Sequence, residues 1–170
     1  MRHTNTAKTV FGFFRAVLSR WLPFLTSSSD LKDIYNYLPI DDFYATSGQP
    51  SEAQFQLIKA AGYKTIINLA PTSVLENSVI EERAILDQLG LSYIHIPVDF
   101  KNPTDQDFKK FVANVGEPSS TWVHCAANMR VSAFTYRYRT EVLGHSEQSA
   151  KEDLQQIWEP VGVWSKFIEK

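Results

Sequence analysis

The chain has 170 residues, of which 44% are hydrophobic, 21% are charged and only one is a cysteine, Cys125. A chain of this length is expected to form one domain with a substantial core. A single cysteine excludes an internal disulfide and any metal site built from several cysteines. We therefore expect a folded protein of a reducing compartment, the cytoplasm.

The net charge of −2 is unevenly distributed along the chain. Residues 1–29 contain four basic residues and no acidic one, so residues 30–170 carry a net charge of −6. An acidic body gives no reason to expect a nucleic-acid partner, because such surfaces require clustered Lys and Arg. We interpret residues 1–29 as a basic N-terminal extension and residues 30–170 as the main domain.

Residues 9–25 are apolar and aromatic but are interrupted by Arg15, Arg20 and Pro23. The stretch is too short and too charged to span a bilayer. A basic amphipathic helix with Phe and Trp on its apolar side is typical of peripheral membrane contact. The alternatives are a helix packed on the domain and a poorly ordered extension. Residues 26–30 (TSSSD) then predict a flexible break or a helix N-cap.

From residue 30 onward, predicted helices alternate with predicted strands. Amphipathic stretches predict helices, and short β-branched or alternating stretches predict strands. In chain order we expect a helix over 51–61, a strand over 64–69, a helix over 81–89, a strand over 91–98, a helix over 105–115, a strand over 121–124 and a helix over 135–143. This alternation indicates an α/β fold with a central, mostly parallel sheet flanked by helices. The C-terminal aromatic residues, Trp158, Trp164 and Phe167, are expected to close the core.

The segment 122–134 (WVHCAANMRVSAF) places Cys125 directly after a predicted strand and before a helix. Ligands of parallel sheets bind beyond the carboxyl ends of the strands. A loop that leads into a helix N-terminus presents backbone N–H groups to an anion such as phosphate. The same field favours a thiolate at the rim of the loop, and a nearby Arg130 can grip two phosphate oxygens. We interpret Cys125 as a nucleophile, with an inert buried cysteine as the alternative.

This pattern resembles the cysteine-dependent protein tyrosine and dual-specificity phosphatase superfamily. The similarity is closer to small bacterial phosphatase-like proteins related to the domain fused to some β-lactamase-fold hydrolases. It covers about residues 43–143 and includes SGQPSEAQF at 47–55, AAGYKTIINL at 60–69, LGLSYIHIPVD at 89–99 and the pair His124-Cys125. The resemblance implies a protein tyrosine phosphatase-like fold and hydrolysis of phosphate monoesters through a cysteinyl-phosphate intermediate, with no metal and no cofactor.

The loop departs from the superfamily pattern, which places five residues between Cys and Arg. Here only four residues precede Arg130, namely Ala126, Ala127, Asn128 and Met129. Val131 takes the usual Arg position, while Asn128 replaces a common loop glycine, an exchange that Asn tolerates because it adopts a positive φ more readily than most residues. Either the loop is tighter and Arg130 still reaches the anion, or Arg130 points away and the loop binds the anion without an arginine side chain.

The resemblance also implies roles for the surrounding residues. Ala126 to Arg130 would bind the phosphate, and Asp99 would be the general acid, with a solvated loop carboxylate as the alternative. Asp105 and Asp107 lie nearby and are alternatively helix N-terminal charges. His124 would support the loop and favour the thiolate, or be a core histidine. Ser132 would hydrogen-bond the thiolate, or cap a helix.

The sequence therefore predicts a phosphatase acting on a phosphorylated protein, including phosphotyrosine, or on a phosphorylated small molecule. The first alternative is a catalytically weak phosphatase-like module that binds a phosphorylated partner, and the second is a rhodanese-like sulfurtransferase. Arg137 and Arg139 are interpreted as exposed helix charges, with recruitment of an acidic substrate as the alternative. Neither the substrate nor the oligomeric state follows from the pattern.

Overall fold

The computed structural model describes residues 3–21, 30–73, 79, 81–115 and 120–169. The described strands are β1 (Leu38–Pro39), β2 (Tyr44–Ser47), β3 (Thr65–Asn68), β4 (Ser92–His95) and β5 (Thr121–His124). The described α-helices are α1 (His3–Trp21), α2 (Glu52–Ala60), α3 (Glu82–Gln88), α4 (Asp105–Val112), α5 (Met129–Arg137), α6 (Glu147–Ile157) and α7 (Val163–Ile168). A 3-10 helix over Leu31–Asp33 and a π-helical turn over Tyr138–Val142 lie between them.

The strands form one sheet in the order β1-β2-β5-β3-β4. Only β1 pairs antiparallel to its neighbour, and the other described pairs are parallel. The expected α/β architecture with a mostly parallel sheet is confirmed. The register places Ser47 and Asn68 directly beside His124, so the carboxyl ends of β2, β5 and β3 meet at one level.

The two faces of the sheet carry separate apolar cores, because adjacent residues of a strand point to opposite faces. Ile66 and Trp122 belong to one core and Ile67 and Val123 to the other. The first core contains Phe55 and Ile58 of α2 and Leu86 of α3. The second contains residues of α4, α5, α6 and α7, including Phe108, Phe111, Phe134, Leu154, Trp164 and Phe167. The chain is therefore a three-layer α/β fold.

Most predicted elements are present, with shorter bounds. The predicted strand over 91–98 ends at His95, because the ladder loses its regular register there: the N–H groups of Ile96 and Val98 donate to the carbonyls of the adjacent residues Asn68 and Leu69. The predicted helix over 135–143 is the end of α5 followed by the π-helical turn. Strands β1 and β2 were not predicted, since YATS has neither an apolar run nor a clear alternation. Of residues 26–30 only Asp30 is described, and it N-caps the 3-10 helix.

The C-terminal aromatic residues close the second core, as expected. Trp158, Trp164 and Phe167 are buried, and the rings of Phe134 and Phe167 stack with centroids 4.9 Å apart. The interpretation of Arg137 and Arg139 as exposed charges is wrong, because both side chains are buried. Both arginines form ion pairs within the domain. Arg137 pairs with Asp105 and Glu141, and Arg139 pairs with Asp153.

Helix α1 packs on the domain through polar contacts. The Thr9 hydroxyl donates to the carbonyl of Ile157 at 2.5 Å, and the Asn5 amide donates to the carbonyl of Gln155 at 2.9 Å. Over residues 3–21 the expectation of a poorly ordered extension is therefore wrong, while residues 22–25 lie outside the described residues. None of the helices that the structure describes is long and apolar enough to cross a membrane.

The helix comes close to the domain at Gly12. A Cβ built at this position would lie 2.6 Å from Cε2 of Tyr35, closer than real contacts allow, so the aromatic ring occupies the space of the missing side chain. The Tyr35 hydroxyl donates to the Thr9 carbonyl one turn earlier. Gly12 thus permits the close approach that anchors α1 beside the 3-10 helix.

We expect Phe134→Ala to destabilise the fold by about 3–5 kcal/mol, because it removes a large side chain from a filled core. Phe134 is 0% exposed and its ring contacts those of Phe108, Phe111, Trp164 and Phe167. Urea unfolding measures the change. Phe43→Ala is the matched control, since Phe43 is 58% exposed and its loss should cost about 0.5 kcal/mol or less. Equal losses for both variants would contradict this core assignment.

Candidate active site

Cys125 lies at the carboxyl end of β5, in the middle of the sheet. Its side chain is 1% exposed, and its backbone N–H donates to the carbonyl of Ser47 at 3.3 Å. Since β5 is paired on both sides, the position from which Cys125 leaves the sheet is fixed by two neighbouring strands. The expected placement of the cysteine, directly after a buried strand, is what the structure has.

Two carbonyl groups of the loop that follows Cys125 accept hydrogen bonds from residues outside the loop. The Ala126 carbonyl accepts from the N–H of Gln49 at 3.3 Å, and the Ala127 carbonyl accepts from the Asn36 amide at 3.0 Å. In a trans peptide the C=O of one residue and the N–H of the next point in opposite directions. The N–H groups of Ala127 and Asn128 are therefore directed away from Gln49 and Asn36. This arrangement suits a loop whose inner side binds an anion.

Asn128 turns the loop into α5. Its φ is 65°, the left-handed conformation expected for the residue that replaces a loop glycine. Its amide group donates to the Asn36 carbonyl at 2.8 Å and to the Thr46 hydroxyl at 3.0 Å, and makes no capping hydrogen bond to α5. The first N–H groups of a helix have no intrahelical acceptor. The uncapped N-terminus of α5 can therefore serve an anion instead.

Arg130 is buried and turns towards the loop that follows β4. Its Nε donates to the Val98 carbonyl at 2.9 Å, and its guanidinium carbon lies 5.1 Å from the centre of the Phe100 ring. A fork that grips two phosphate oxygens through Nε is therefore not available in this conformation. The side chain instead joins the first turn of α5 to the segment that contains Asp99.

The carboxylate of Asp99 is exposed in that segment, between Val98 and Phe100. Its Oδ1 accepts from the N–H of Lys101 at 2.9 Å, which closes a tight turn. Because Arg130 binds the preceding carbonyl, Asp99 is attached by one residue to the helix that begins at the Cys125 loop. This geometry is compatible with either a general acid or a solvated loop carboxylate.

The other two acidic candidates are occupied in structural contacts. Asp107 forms a capping box with Thr104 at the start of α4, and Asp105 pairs with Arg137 at 3.1 Å. Both thus act as helix N-terminal charges, the alternative considered from the sequence. In the part of the chain that the structure describes, no group of three or more His, Cys, Asp or Glu side chains could hold a metal ion.

Behind the cysteine, His124 is fully buried and pairs with Glu82 of α3, with 3.0 Å between Nε2 and Oε1. Glu82 also accepts from the amides of Gln49 at 2.8 Å and Asn68 at 3.1 Å, and Tyr93 donates to it. Burial alone would raise the pKa of Glu82, but the charge of His124 and the hydrogen bonds from His124, Gln49 and Tyr93 together outweigh it, and the pKa is lowered. The carboxylate is therefore ionised and fixes the imidazole directly before Cys125.

Ser132 does not have the hydrogen bond expected from the resemblance. Its hydroxyl donates to the Met129 carbonyl at 3.1 Å and accepts from the indole N–H of Trp158 at 3.2 Å. A hydroxyl has one proton, so in this structure none is directed at the Cys125 sulfur. Ser132 also is not a cap, because the N-cap of α5 is Asn128. It joins the first turn of α5 to the C-terminal core.

Tyr35 and Asn36 reach the site from the segment before β1. The Asn36 amide contacts both the Ala127 carbonyl and, at 3.3 Å, the Thr9 hydroxyl of α1. Burial is the main cause that raises the pKa of Tyr35, and the charge of Cys125 is the next. The Tyr35 hydroxyl is therefore within electrostatic reach of the cysteine.

Sequence reasoning did not identify Glu82, Gln49, Tyr35 or Asn36 as parts of the site. For Glu82 a signal exists, because it lies four residues before the buried Leu86, and a carboxylate on the apolar face of a helix requires a partner. For Asn36 there is none, since its contact with Ala127 joins residues 91 positions apart. Such contacts follow only from the completed fold.

Comparisons with known proteins agree with this geometry. Residues 14–161 match the family described as a DSP-PTPase phosphatase fused to NAD+ kinase. The β-lactamase hydrolase-like protein of Xylella fastidiosa (strain Temecula1) is 29% identical over 120 residues, and the chain spans only 28% of its length while 63% of this chain is covered.

Solved structures share the fold. The DUF442 phosphatase-like protein of Shewanella putrefaciens CN-32 is 29% identical, with a TM-score of 0.71 over 82% of this chain and 92% of that one. The catalytic core of the PP-IP phosphatase SIW14 of S. cerevisiae is 17% identical, with a TM-score of 0.66 over 80% and 85%. TpbA of P. aeruginosa, solved with phosphotyrosine, is 19% identical, with a TM-score of 0.60 over 76% of each chain.

The match over residues 14–161 groups the chain with phosphatases and not with the rhodanese-like sulfurtransferases considered from the sequence. The TM-scores of 0.71 and 0.66 show that the fold is shared with these solved structures. The chain belongs to the DSP-PTPase family of phosphatase domains, within the cysteine-dependent protein tyrosine phosphatase superfamily.

Proposed function

We propose that the chain hydrolyses phosphate monoesters through a cysteinyl-phosphate intermediate formed on Cys125. The observation that carries the proposal is the loop that follows Cys125. Its carbonyl groups are bonded outward to Gln49 and Asn36, which directs successive N–H groups to the other side. The left-handed Asn128 then adds the uncapped N-terminus of α5. These dipoles are placed to stabilise the negative charge of a phosphoryl group without a metal.

In the first step the Cys125 thiolate attacks phosphorus, and the bond from phosphorus to the leaving oxygen breaks. Asp99 gives its proton to that oxygen, so the alcohol or phenol departs neutral. In the second step water attacks phosphorus, Asp99 takes the proton of the water, and the bond from sulfur to phosphorus breaks to regenerate the thiolate. Inorganic phosphate is the product of this cycle.

Arg130 has a different part in this proposal from the one implied by the superfamily. Because its Nε is bound to the Val98 carbonyl, it acts first as a brace between α5 and the Asp99 segment. Its buried positive charge adds to the field of the loop. Backbone amides therefore carry most of the phosphate binding. For substrate we propose an aryl phosphate such as phosphotyrosine, the ligand with which the structural relative TpbA was solved.

A second candidate is a phosphate-binding module with little turnover. This candidate is favoured because the Arg130 Nε donates to a backbone carbonyl and not to the phosphate site. Loss of one charge contact to the transition state lowers the rate about 10²–10³-fold. Such a module would bind a phosphorylated partner in the same loop without releasing phosphate. The two candidates differ in catalysis and not in the location of the site.

We expect wild-type protein to release p-nitrophenol from p-nitrophenyl phosphate, and Cys125→Ser to lower kcat at least about 10³-fold, because the hydroxyl is a far weaker nucleophile than the thiolate. Steady-state absorbance at several pH values measures this. Rapid acid quenching with ³²P-labelled substrate should trap a phosphoenzyme in the wild type and none in the variant.

Two outcomes would contradict the enzyme. Turnover that is equal in the wild type and Cys125→Ser would remove the cysteine from the mechanism. Saturable phosphate binding by calorimetry, with no turnover above that of the variant, would support the binding module instead. Phe43→Ser is a suitable control, because Phe43 is 58% exposed and lies outside the Cys125 loop.

We expect Asp99→Asn to lower kcat about 10²-fold for an alkyl phosphate and much less for p-nitrophenyl phosphate, whose leaving group needs little protonation. The ratio of the two kcat values measures general-acid function separately from folding. Asp107→Asn is the matched control, because Asp107 caps α4 and should leave the ratio unchanged. A ratio that does not change in Asp99→Asn would assign Asp99 as a solvated loop carboxylate.

We expect Glu82→Gln to change the stability of the fold and the dependence of that stability on pH. The pKa of Glu82 is lowered in the folded state, whereas the unfolded chain has its ordinary value of about 4.3. The stability that the pair contributes is therefore fully present above the pKa of Glu82 in the unfolded chain. It is lost as the pH falls through the lower pKa that Glu82 has in the folded protein. Urea unfolding should show the wild type losing more stability than Glu82→Gln below about pH 4.3, with the two curves converging.

The activity of Glu82→Gln separates positioning from simple stability. The carboxylate binds Nε2 of His124 and holds the imidazole directly before Cys125. Under conditions in which both proteins are folded, kcat for p-nitrophenyl phosphate should be lower in Glu82→Gln than in the wild type, because the imidazole loses a hydrogen bond to a charged partner. Gln49→Ala, which removes a neutral donor to the same carboxylate, should leave kcat unchanged. An unchanged kcat in Glu82→Gln would restrict the pair to a role in folding.

A further inference from the structure

Helix α1 has an outer face that the fold leaves open. Val10, Phe11 and Phe14 are 44%, 68% and 65% exposed, whereas Thr9 on the opposite face is buried against Ile157. Burial of each exposed phenylalanine ring would lower the free energy, because it would remove apolar surface from water. Two such rings one turn apart on one helix form an apolar strip that points away from the domain.

The charge around this strip selects the partner. Residues 1–29 contain four basic residues and no acidic one, while residues 30–170 carry a net charge of −6. Lys8 is exposed one turn before Phe11. A surface that is apolar and positively charged complements an anionic, partly apolar surface, which is what acidic phospholipids provide. A second copy of α1 would bring like charges together instead.

We propose that the outer face of α1, formed by Val10, Phe11 and Phe14 with Lys8 beside it, is a docking surface for an anionic lipid bilayer. The helix lies in the plane of the membrane, with the two phenylalanine rings among the acyl chains and Lys8 at the headgroups, so the proposed contact is peripheral. This proposal goes beyond the phosphatase activity and does not depend on it.

The inner face of α1 stays on the domain when the outer face binds lipid. Thr9 and Asn5 remain bonded to α6, and the amide of Asn36 contacts both the Thr9 hydroxyl and the Ala127 carbonyl of the Cys125 loop. The helix is thus one side chain away from the phosphate-binding loop. Docking through α1 holds that loop at a fixed position relative to the lipid surface.

Co-sedimentation of the full chain with vesicles tests the proposal. We expect binding to vesicles with about 30 mol % phosphatidylglycerol in phosphatidylcholine, and much weaker binding to phosphatidylcholine alone. The double variant Phe11→Ser, Phe14→Ser should bind the anionic vesicles at least about ten-fold more weakly. Phe43→Ser is the matched control, because Phe43 is 58% exposed elsewhere on the surface and should not change binding.

Folding and phosphatase activity are measured on the same samples. Phe11 and Phe14 face away from the domain, so circular dichroism and p-nitrophenyl phosphate turnover should match the wild type. If no sample hydrolyses p-nitrophenyl phosphate, the proposed phosphatase activity is contradicted and the lipid proposal is unaffected. Equal sedimentation of wild type and double variant, or no sedimentation of the wild type, would overturn the lipid proposal. Self-association of the wild type that the double variant loses, without vesicle binding, would assign the face to a second copy.

Discussion

The pairing of β5 on both edges is the constraint on which the site depends. Because Ser47 and Asn68 flank His124 in register, three strands end together and Cys125 begins its loop at a fixed point. Two carbonyl groups of the loop are further bonded to Gln49 and Asn36, which restrains its orientation. For the phosphate binding that we propose, such a loop would need little energy of reorganisation, because its dipoles are already oriented.

A buried charge below the loop completes this preorganisation. Glu82 is inside the protein and stays ionised because His124, Gln49, Asn68 and Tyr93 surround its carboxylate. Removing one partner from a buried pair costs about 3–5 kcal/mol, because a charge is left without compensation. Compared with apolar residues of similar volume, an intact buried pair adds little stability. The position of the pair directly before Cys125 is in keeping with the role that we propose for the imidazole.

The sequence predicted the features that depend on local physics. The β-branched strand over 65–68 and the strand over 121–124 follow from residue type, and Asn128 adopts the positive φ that its position requires. What it missed depends on contacts between distant segments. All four residues of strand β2 (YATS) are buried by the surrounding sheet, although their sequence shows no apolar run. The Glu82 to His124 pair joins residues 42 positions apart.

Arg130 shows the limit of reasoning from spacing. The number of residues between Cys125 and Arg130 raises the question of where the guanidinium points but cannot answer it. The answer depends on the Val98 carbonyl and the Phe100 ring, which belong to another segment and arrive beside α5 through the packing of the second core. In this chain Arg130 is buried with the Val98 carbonyl as the partner of its Nε.

The attachment of α1 has a consequence for how this protein can diverge. Asn5, Thr6 and Thr9 bind the main chain of α6 and its C-terminal end, namely the carbonyls of Gln155 and Ile157 and the N–H of Glu159. Main-chain partners are the same for almost every residue type. Mutations can therefore accumulate at the half-buried Gln155 and Glu159 over evolutionary time without releasing the helix, whereas Ile157 is held by the second core and the polar positions of α1 have little such latitude.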